Sequence, residues 1–199
     1  MLSLAVSLVV VGLLFNSQSV QSRVAPPRSL LAVAKESATP VAQTAPRPVG
    51  VGLPARLKIP KLKIDASMDY VGLTASGDLD VPKNPANAAW YTAGPRPGEN
   101  GSAVIDGHFG WKDNIPAVFD NLHTLQKGDL LEVEDRNGLT TTFVVRELRK
   151  FGSSEVAPEI FKSGDGRAHL NIITCNGSWN NAQKNYSNRL VVFTDKITQ

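Results

Sequence analysis

The 199-residue chain contains a single cysteine, Cys175, and this scarcity excludes an intramolecular disulfide. A secreted domain stabilised by disulfides would carry paired cysteines. The lone thiol is therefore either a small buried apolar group or a reactive one. Metal-ligand spacing is also missing, because the cysteine and the three histidines form no Cys-x2-Cys or His-Glu-x2-His pattern. We therefore expect no metal and no other cofactor.

An excess of basic residues is confined to the first 54 positions. There, four basic residues stand against one acidic residue, whereas residues 55–199 carry 17 of each sign, so the net charge of +3 arises at the N-terminus. No basic stripe with interleaved aromatic residues stands out in the second part of the chain. This charge distribution argues against a nucleic-acid-binding protein.

The longest apolar run extends from Leu2 to Phe15, within 22 residues that carry no charge. It is shorter than the roughly 20 residues of a membrane-spanning helix and fits the roughly 7–15 residues of a signal-peptide core. We predict that residues 1–22 are an N-terminal membrane anchor or a signal peptide; a buried core helix is the alternative. Residues 23–54 are rich in Pro and Ala, which predicts an extended extracellular linker.

Short apolar runs separated by turn-forming residues follow from Arg56 onward and predict an all-β fold. Eight runs in about 145 residues favour a closed or nearly closed barrel of roughly eight strands. One or two short helices are predicted, the first where Val118, Leu122 and Leu125 have helical spacing after Pro116. The predicted strands are 56–59, 62–66, 69–73, 101–105, 130–135, 140–149, 170–174 and 190–194.

Three predicted strands each carry one reactive type of side chain near an end: Cys175, His108 and Arg189. A cysteine nucleophile needs thiolate character, which a neighbouring imidazolium supports, and acyl transfer needs a donor for the developing oxyanion. Arginine keeps its charge at any working pH and can be that donor. Each residue also has an ordinary alternative, as a core cysteine, a loop or core histidine, or a surface arginine.

Other polar residues compete for these roles. His123 falls in the predicted helical turn, and His169 precedes Cys175 by six residues, about 20 Å along an extended strand, so His108 is the better candidate base. Asp106 is two residues before His108 and would share its face of the strand. It would either orient or shield His108, or be an ordinary solvated or turn-bonded aspartate.

With these residues placed, residues 56–199 resemble a sortase, a member of a family of cell-surface cysteine transpeptidases. The segment Ile172–Cys175 is similar to the family's Leu-x-Thr-Cys signature, Arg189 matches the arginine that opens the last barrel strand, and Gly101–His108 resembles the segment that ends in the family's histidine. The Trp90-Tyr and Pro97-Gly segments are most similar to the class E and F branch.

The resemblance implies a sortase-like catalytic barrel over residues 55–199. Such an enzyme cleaves a surface protein's sorting signal of the Leu-Pro-x-Thr-Gly type between Thr and Gly, through a thioacyl intermediate on Cys175. It then joins the protein to a cell-wall or pilin amine. His108 would exchange protons with the leaving and incoming amines, and Arg189 would hold the substrate and its oxyanion.

The resemblance also implies a substrate site and a location. Thr174, Asn176 and Trp179 are the predicted substrate-binding residues, with the polar stretch 176–188 as a wall of the pocket; Trp179 could equally cap the barrel end. The protein would be a single-pass membrane protein with an extracellular catalytic domain, or an exported one. Two alternatives stay open: a hydrolase that releases surface proteins, and a non-catalytic barrel that binds surface peptides.

Overall fold

The computed structural model describes residues 50–182 and 184–198, which contain eight strands. Their bounds are β1 (Pro54–Ile59), β2 (Ile64–Val71), β3 (Ala88–Tyr91), β4 (Gly101–Gly107), β5 (Leu130–Asp135), β6 (Thr140–Gly152), β7 (Ala168–Asn180) and β8 (Asn185–Lys196). The all-β class and the eight-stranded barrel are both confirmed.

The strands close into a barrel in the order β1-β2-β3-β4-β7-β8-β6-β5, with β5 paired back to β1. Two neighbouring pairs are parallel, β2 with β3 and β4 with β7, and the other pairs are antiparallel. Gly107 of β4 lies opposite Thr174 of β7, and Cys175 of β7 lies opposite Arg189 of β8. This register brings three chain segments that are distant in sequence to one end of the barrel.

Alternation along the strands divides apolar residues between two cores. The barrel interior is filled by fully buried side chains such as Leu57, Ile105, Phe143, Leu170 and Ile172. A second cluster forms on the outer face of β4, β7, β8 and β6 and contains Val104, Phe151, Ala157, Ile160, Val191 and Phe193. The β6–β7 connection supplies Ala157 and Ile160, so this part of the outer wall is covered rather than open to solvent.

Three local predictions differ from the structure. The predicted strands 62–66 and 69–73 are one strand, β2, preceded by a 3-10 turn at Pro60–Leu62. The short strand β3 was missed. The helix predicted over 116–125 is wrong, because only the 3-10 turn Leu122–Thr124 forms there; Leu122 and Leu125 are buried in the interior core from turns. In the described part of the chain the remaining helical turns, at Lys112–Asn114 and Pro158–Ile160, are also 3-10.

The predicted anchor or signal peptide (1–22) and most of the predicted linker lie outside the described residues. At the end of that linker, residues 51–54 are attached to the barrel: the carbonyl of Val51 accepts a hydrogen bond from Arg96, the N–H of Gly52 donates to Asp135, and Pro54 begins β1. Across residues 50–182 and 184–198, the helical segments are all too short or too polar to cross a bilayer.

Candidate active site

Cys175, His108 and Arg189 meet at one cavity on the outer face of the barrel. Cys175 and Arg189 are directly paired across β7 and β8, and His108 follows the β4 residue paired with Thr174, which precedes Cys175. Neighbouring residues in register share a face of the sheet. All three side chains line a cavity of about 370 Å³. The structure thus brings together the three residues that the sequence selected.

His108 is held by the backbone on two sides. Its Nε2 lies 2.7 Å from the carbonyl oxygen of Pro82, which can only accept, so Nε2 carries a proton in this arrangement. Its own carbonyl accepts the N–H of Phe119 at 3.0 Å. The preceding residue must be glycine, because a Cβ at Gly107 would overlap the ring of Phe119. The ring of His108 also contacts Trp111, with centroids 4.5 Å apart.

Cys175 is partly buried beside groups of both charges. Burial raises the pKa of its thiol above the ordinary value; the Arg189 guanidinium acts in the opposite direction, and the Asp106 carboxylate raises it further. The sequence favoured a thiolate supported by positive neighbours, whereas here the neutral thiol is favoured. Within the described residues no hydrogen bond joins His108 to Cys175. The thiolate therefore forms at higher pH than for a solvent-exposed cysteine.

Arg189 is bound by the hairpin that connects β7 and β8. Its Nη2 donates to Oδ1 of Asn185 at 2.9 Å, and its Nη1 donates to the carbonyl oxygens of Asn188 at 3.1 Å and Tyr186 at 3.4 Å. These oxygens fix the guanidinium at the mouth of the cavity without cancelling its charge. A developing oxyanion beside Cys175 would meet a preorganised cation.

Asp106 also lines the cavity and is 8% exposed, so the ordinary solvated aspartate considered from the sequence is wrong. Burial raises the pKa of this carboxyl to about 7, against smaller opposing effects of the Gly107 N–H and the Arg189 charge; the nearby Asp80 raises it further. The carboxyl is therefore neutral at weakly acidic pH, in the same cavity as the thiol.

The predicted substrate-binding residues lie near this cavity but do not line it. Thr174 is buried, and its hydroxyl donates to the carbonyl of Gly107 at 2.7 Å. Asn176 is half-buried opposite Asn188. Trp179 is 49% exposed, its Nε1 donates to Asn181, and its ring meets the edge of Tyr186. Thr174 thus holds backbone in place, while Trp179 belongs to the outer part of the hairpin.

The stretch 176–188 is a hairpin extension of β7 and β8 with a bulge between Asn176 and Trp179, rather than a free loop. Of its described residues, only Asn185 lines the cavity. The other walls come from two segments that sequence reasoning missed: Asp78, Leu79 and Val81 on one side, and residues from Phe151 to Phe161 on the other.

The other two histidines are placed away from the thiol. His169 is buried, with Nδ1 at 2.8 Å from Asp195 and Nε2 at 3.0 Å from Asp165, so both ring nitrogens are engaged. His123 is exposed in the turn Leu122–Thr124. In the part of the chain that the structure describes, no group of three or more histidine, cysteine or acidic side chains could hold a metal ion.

Comparisons with known proteins identify the domain type and its fold. The family model of the Sortase domain matches residues 57–197. No individual curated protein matches the chain. Sortase C-1 from Actinomyces oris is similar at 21% identity and a TM-score of 0.56, over 72% of this chain and 73% of that one.

Two further solved structures are similar. A lid mutant of sortase A from Corynebacterium diphtheriae is 19% identical, with a TM-score of 0.58, over 79% of this chain and 75% of that one. Sortase C1 of Streptococcus agalactiae, in complex with MTSET, is 21% identical, with a TM-score of 0.55, over 72% of this chain and 67% of that one. At these identities the structures show a common fold.

Proposed function

The chain belongs to the sortase family of cysteine transpeptidases, and from that premise we propose that it cleaves a Leu-Pro-x-Thr-Gly-type sorting signal between Thr and Gly and transfers the acyl group to an amine. The observation that supports this proposal most strongly is the shared cavity of Cys175, His108 and Arg189. A thiol, a proton carrier and a fixed cation are the groups that acyl transfer through a thioester needs.

In the first half-reaction, Cys175 gives its proton to His108 and its sulfur attacks the threonyl carbonyl carbon of the signal. The carbonyl oxygen becomes an oxyanion, which Arg189 stabilises. The C–N bond to glycine then breaks, His108 gives a proton to the leaving amine, and the sulfur keeps the acyl group as a thioester.

In the second half-reaction, an amine attacks the thioester carbonyl and His108 takes the proton that the amine loses. The C–S bond breaks and the sulfur leaves as the thiolate, so the enzyme returns to its starting charge. Amines of a peptidoglycan precursor or of a pilin lysine are the proposed acceptors. A single-pass or exported protein with its barrel outside the membrane would meet both partners, in keeping with the uncharged apolar start of the chain.

The proposed assay uses the full chain, purified in detergent and mixed with a Leu-Pro-x-Thr-Gly peptide and hydroxylamine. Mass spectrometry should detect a threonyl hydroxamate, because hydroxylamine captures a thioester. The product should be absent with Cys175→Ala and with His108→Ala. His123→Ala is the matched control, since His123 is an exposed histidine that does not line the cavity.

The other outcomes identify the alternatives. Free threonyl acid without hydroxamate would replace transfer by hydrolysis. No cleavage across a panel of peptides with varied motif positions would contradict the proposed activity and support a peptide-binding barrel. The preferred motif in that panel also tests the class E and F assignment, which remains a prediction.

A further inference from the structure

Asp106 is an ionisable group of the cavity that the two half-reactions above leave unused. It lies two residues before His108 on β4, and its neighbour across β7 is Ile173, which precedes Cys175 by two residues. Asp106, Ile173 and Cys175 all line the cavity. The carboxyl is therefore on the same face of the sheet as the thiol, on the neighbouring strand and level with the residue two positions before Cys175.

The charged and titratable groups around this carboxyl come from four elements. The residue that follows its own strand is His108, β7 contributes Cys175, and β8 contributes Arg189, while its partner on β3 is the apolar Ala89. The connections around the cavity contribute acidic residues: Asp78, Asp80 and Glu155. Among these groups Arg189 is the one permanent cation, so an ionised Asp106 has one strong partner.

Arg189 is bound to oxygens of the hairpin. In this structure its guanidinium is hydrogen-bonded to the side chain of Asn185 and to two hairpin carbonyls. No ion pair between Arg189 and Asp106 occurs in the described residues. Neutral hairpin oxygens leave the positive charge available to a substrate oxyanion, whereas an ion pair with a carboxylate would not.

We propose that Asp106 is a proton-dependent positioning residue: neutral, it leaves Arg189 on the hairpin and allows Cys175 to ionise, and ionised, it draws the guanidinium inward and opposes the thiolate. This inference rests on the proposed function for its catalytic consequence, but the coupling between Asp106 and Cys175 is independent of any peptide substrate. The raised pKa of Asp106 supports it, because the change of charge falls in the working range of the site.

The first test measures iodoacetamide alkylation of Cys175, the only cysteine, as a function of pH. The alkylation rate should rise with pH as the thiol ionises. Above about pH 7, the midpoint of this rise in Asp106→Asn should lie about one pH unit below the wild-type midpoint, because a nearby negative charge has been removed. Below about pH 6 the two proteins should react at the same rate, since Asp106 is neutral in both. Asp65→Asn, which neutralises an exposed carboxylate on β2, should follow the wild type.

Superimposed profiles of wild type and Asp106→Asn would overturn the proposal. The proposal would also be overturned if Asp106→Asn changed the alkylation rate by the same factor at pH 5.5 and at pH 8, because that is what a merely structural perturbation predicts. If Asp106→Asn does not fold, wild-type protein with ¹³C-labelled aspartate carboxyls decides the question. One carboxyl should titrate near pH 7 and respond to alkylation of Cys175, and the absence of such a carboxyl contradicts the proposal.

The second test uses the peptide reaction. The wild-type kcat/KM should fall above about pH 7 as Asp106 ionises, and in Asp106→Asn this fall should be absent while KM below pH 6 is unchanged. An alkaline fall of kcat/KM that is the same in Asp106→Asn as in the wild type would contradict the catalytic part of the proposal. A protein that cleaves no peptide but shows the alkylation shift would contradict the proposed function and retain the coupling.

Discussion

The hydroxyl of Thr174 donates to the carbonyl oxygen of Gly107 at 2.7 Å, which joins the strand of the nucleophile to the strand of the histidine. Each partner is the residue just before its reactive neighbour, Cys175 or His108. The bond is fully buried, since Thr174 is 1% exposed. The spacing between thiol and imidazole thus depends on a side chain that points away from both.

Thr174→Val should lower the free energy of unfolding by about 1 kcal/mol, since the shape is kept and one buried hydrogen bond is lost. Peptide cleavage should fall several-fold because β4 and β7 are less firmly aligned. Urea denaturation and the hydroxamate assay measure the two effects. Thr174→Ser, which keeps the hydroxyl, should retain most of the activity; a larger loss in Thr174→Ser than in Thr174→Val would mean that the methyl packing matters instead.

Gly107→Ala should remove most activity and lower stability by about 1–3 kcal/mol, because the new Cβ overlaps the Phe119 ring and displaces the chain at His108. The measurement is thermal unfolding together with the peptide assay. Gly164→Ala is the matched control, since a Cβ there meets nothing within 4 Å. Full activity in Gly107→Ala would show that the Phe119 ring can move at no cost to the site.

Stability should fall as pH rises from about 4 to about 7, on account of Asp106. The folded protein retains this proton up to about pH 7, whereas the unfolded chain releases it near 3.8, so the folded state binds more protons in that window. The loss attributable to this group is on the order of 4 kcal/mol. The free energy of unfolding, measured by urea denaturation, should depend less on pH in Asp106→Asn than in the wild type over this range. The same pH dependence in both proteins would contradict burial of the carboxyl.

Asn185→Ala should lower kcat/KM by about tenfold and leave the alkylation rate of Cys175 within about twofold. The side chain of Asn185 accepts from Nη2 of Arg189 and from the N–H of Tyr186, so its loss frees the guanidinium. A charge-assisted hydrogen bond of this kind contributes about 1.5–3 kcal/mol. Asn181→Ala, which removes only the partner of the Trp179 indole, is the control; a similar loss in both variants would indicate a general effect on the hairpin.

Much of the barrel could be predicted from local patterns, because strands β4 to β8 are apolar runs bounded by turn residues. β3 was missed since its four residues, Ala88–Tyr91, are two alanines and two aromatics without visible alternation. The helix expected near Leu122 was wrong because its apolar spacing is satisfied by turns that insert Phe119, Leu122 and Leu125 into the core.

The meeting of Cys175, His108 and Arg189 at one cavity could be predicted because a sheet register places strand ends together, and strand ends are visible in sequence. The protonation state of the site could not be predicted from the sequence. The raised pKa values of Cys175 and Asp106 come from burial by residues 78–81 and 151–161, which approach only in the folded chain. The hydrogen bonds of Arg189 to Asn185, Tyr186 and Asn188 likewise form in a hairpin that no local pattern indicated.

The outer placement of the cavity has a consequence for how such a chain can vary in length. Thr174 points inward and Cys175 outward, and the same alternation separates core from chemistry along β4 and β8. Removal of one residue from β7 before Cys175 would turn the thiol into the barrel and an apolar core residue out to solvent. Natural insertions and deletions compatible with activity must therefore fall in the connections, or change a strand by an even number of residues.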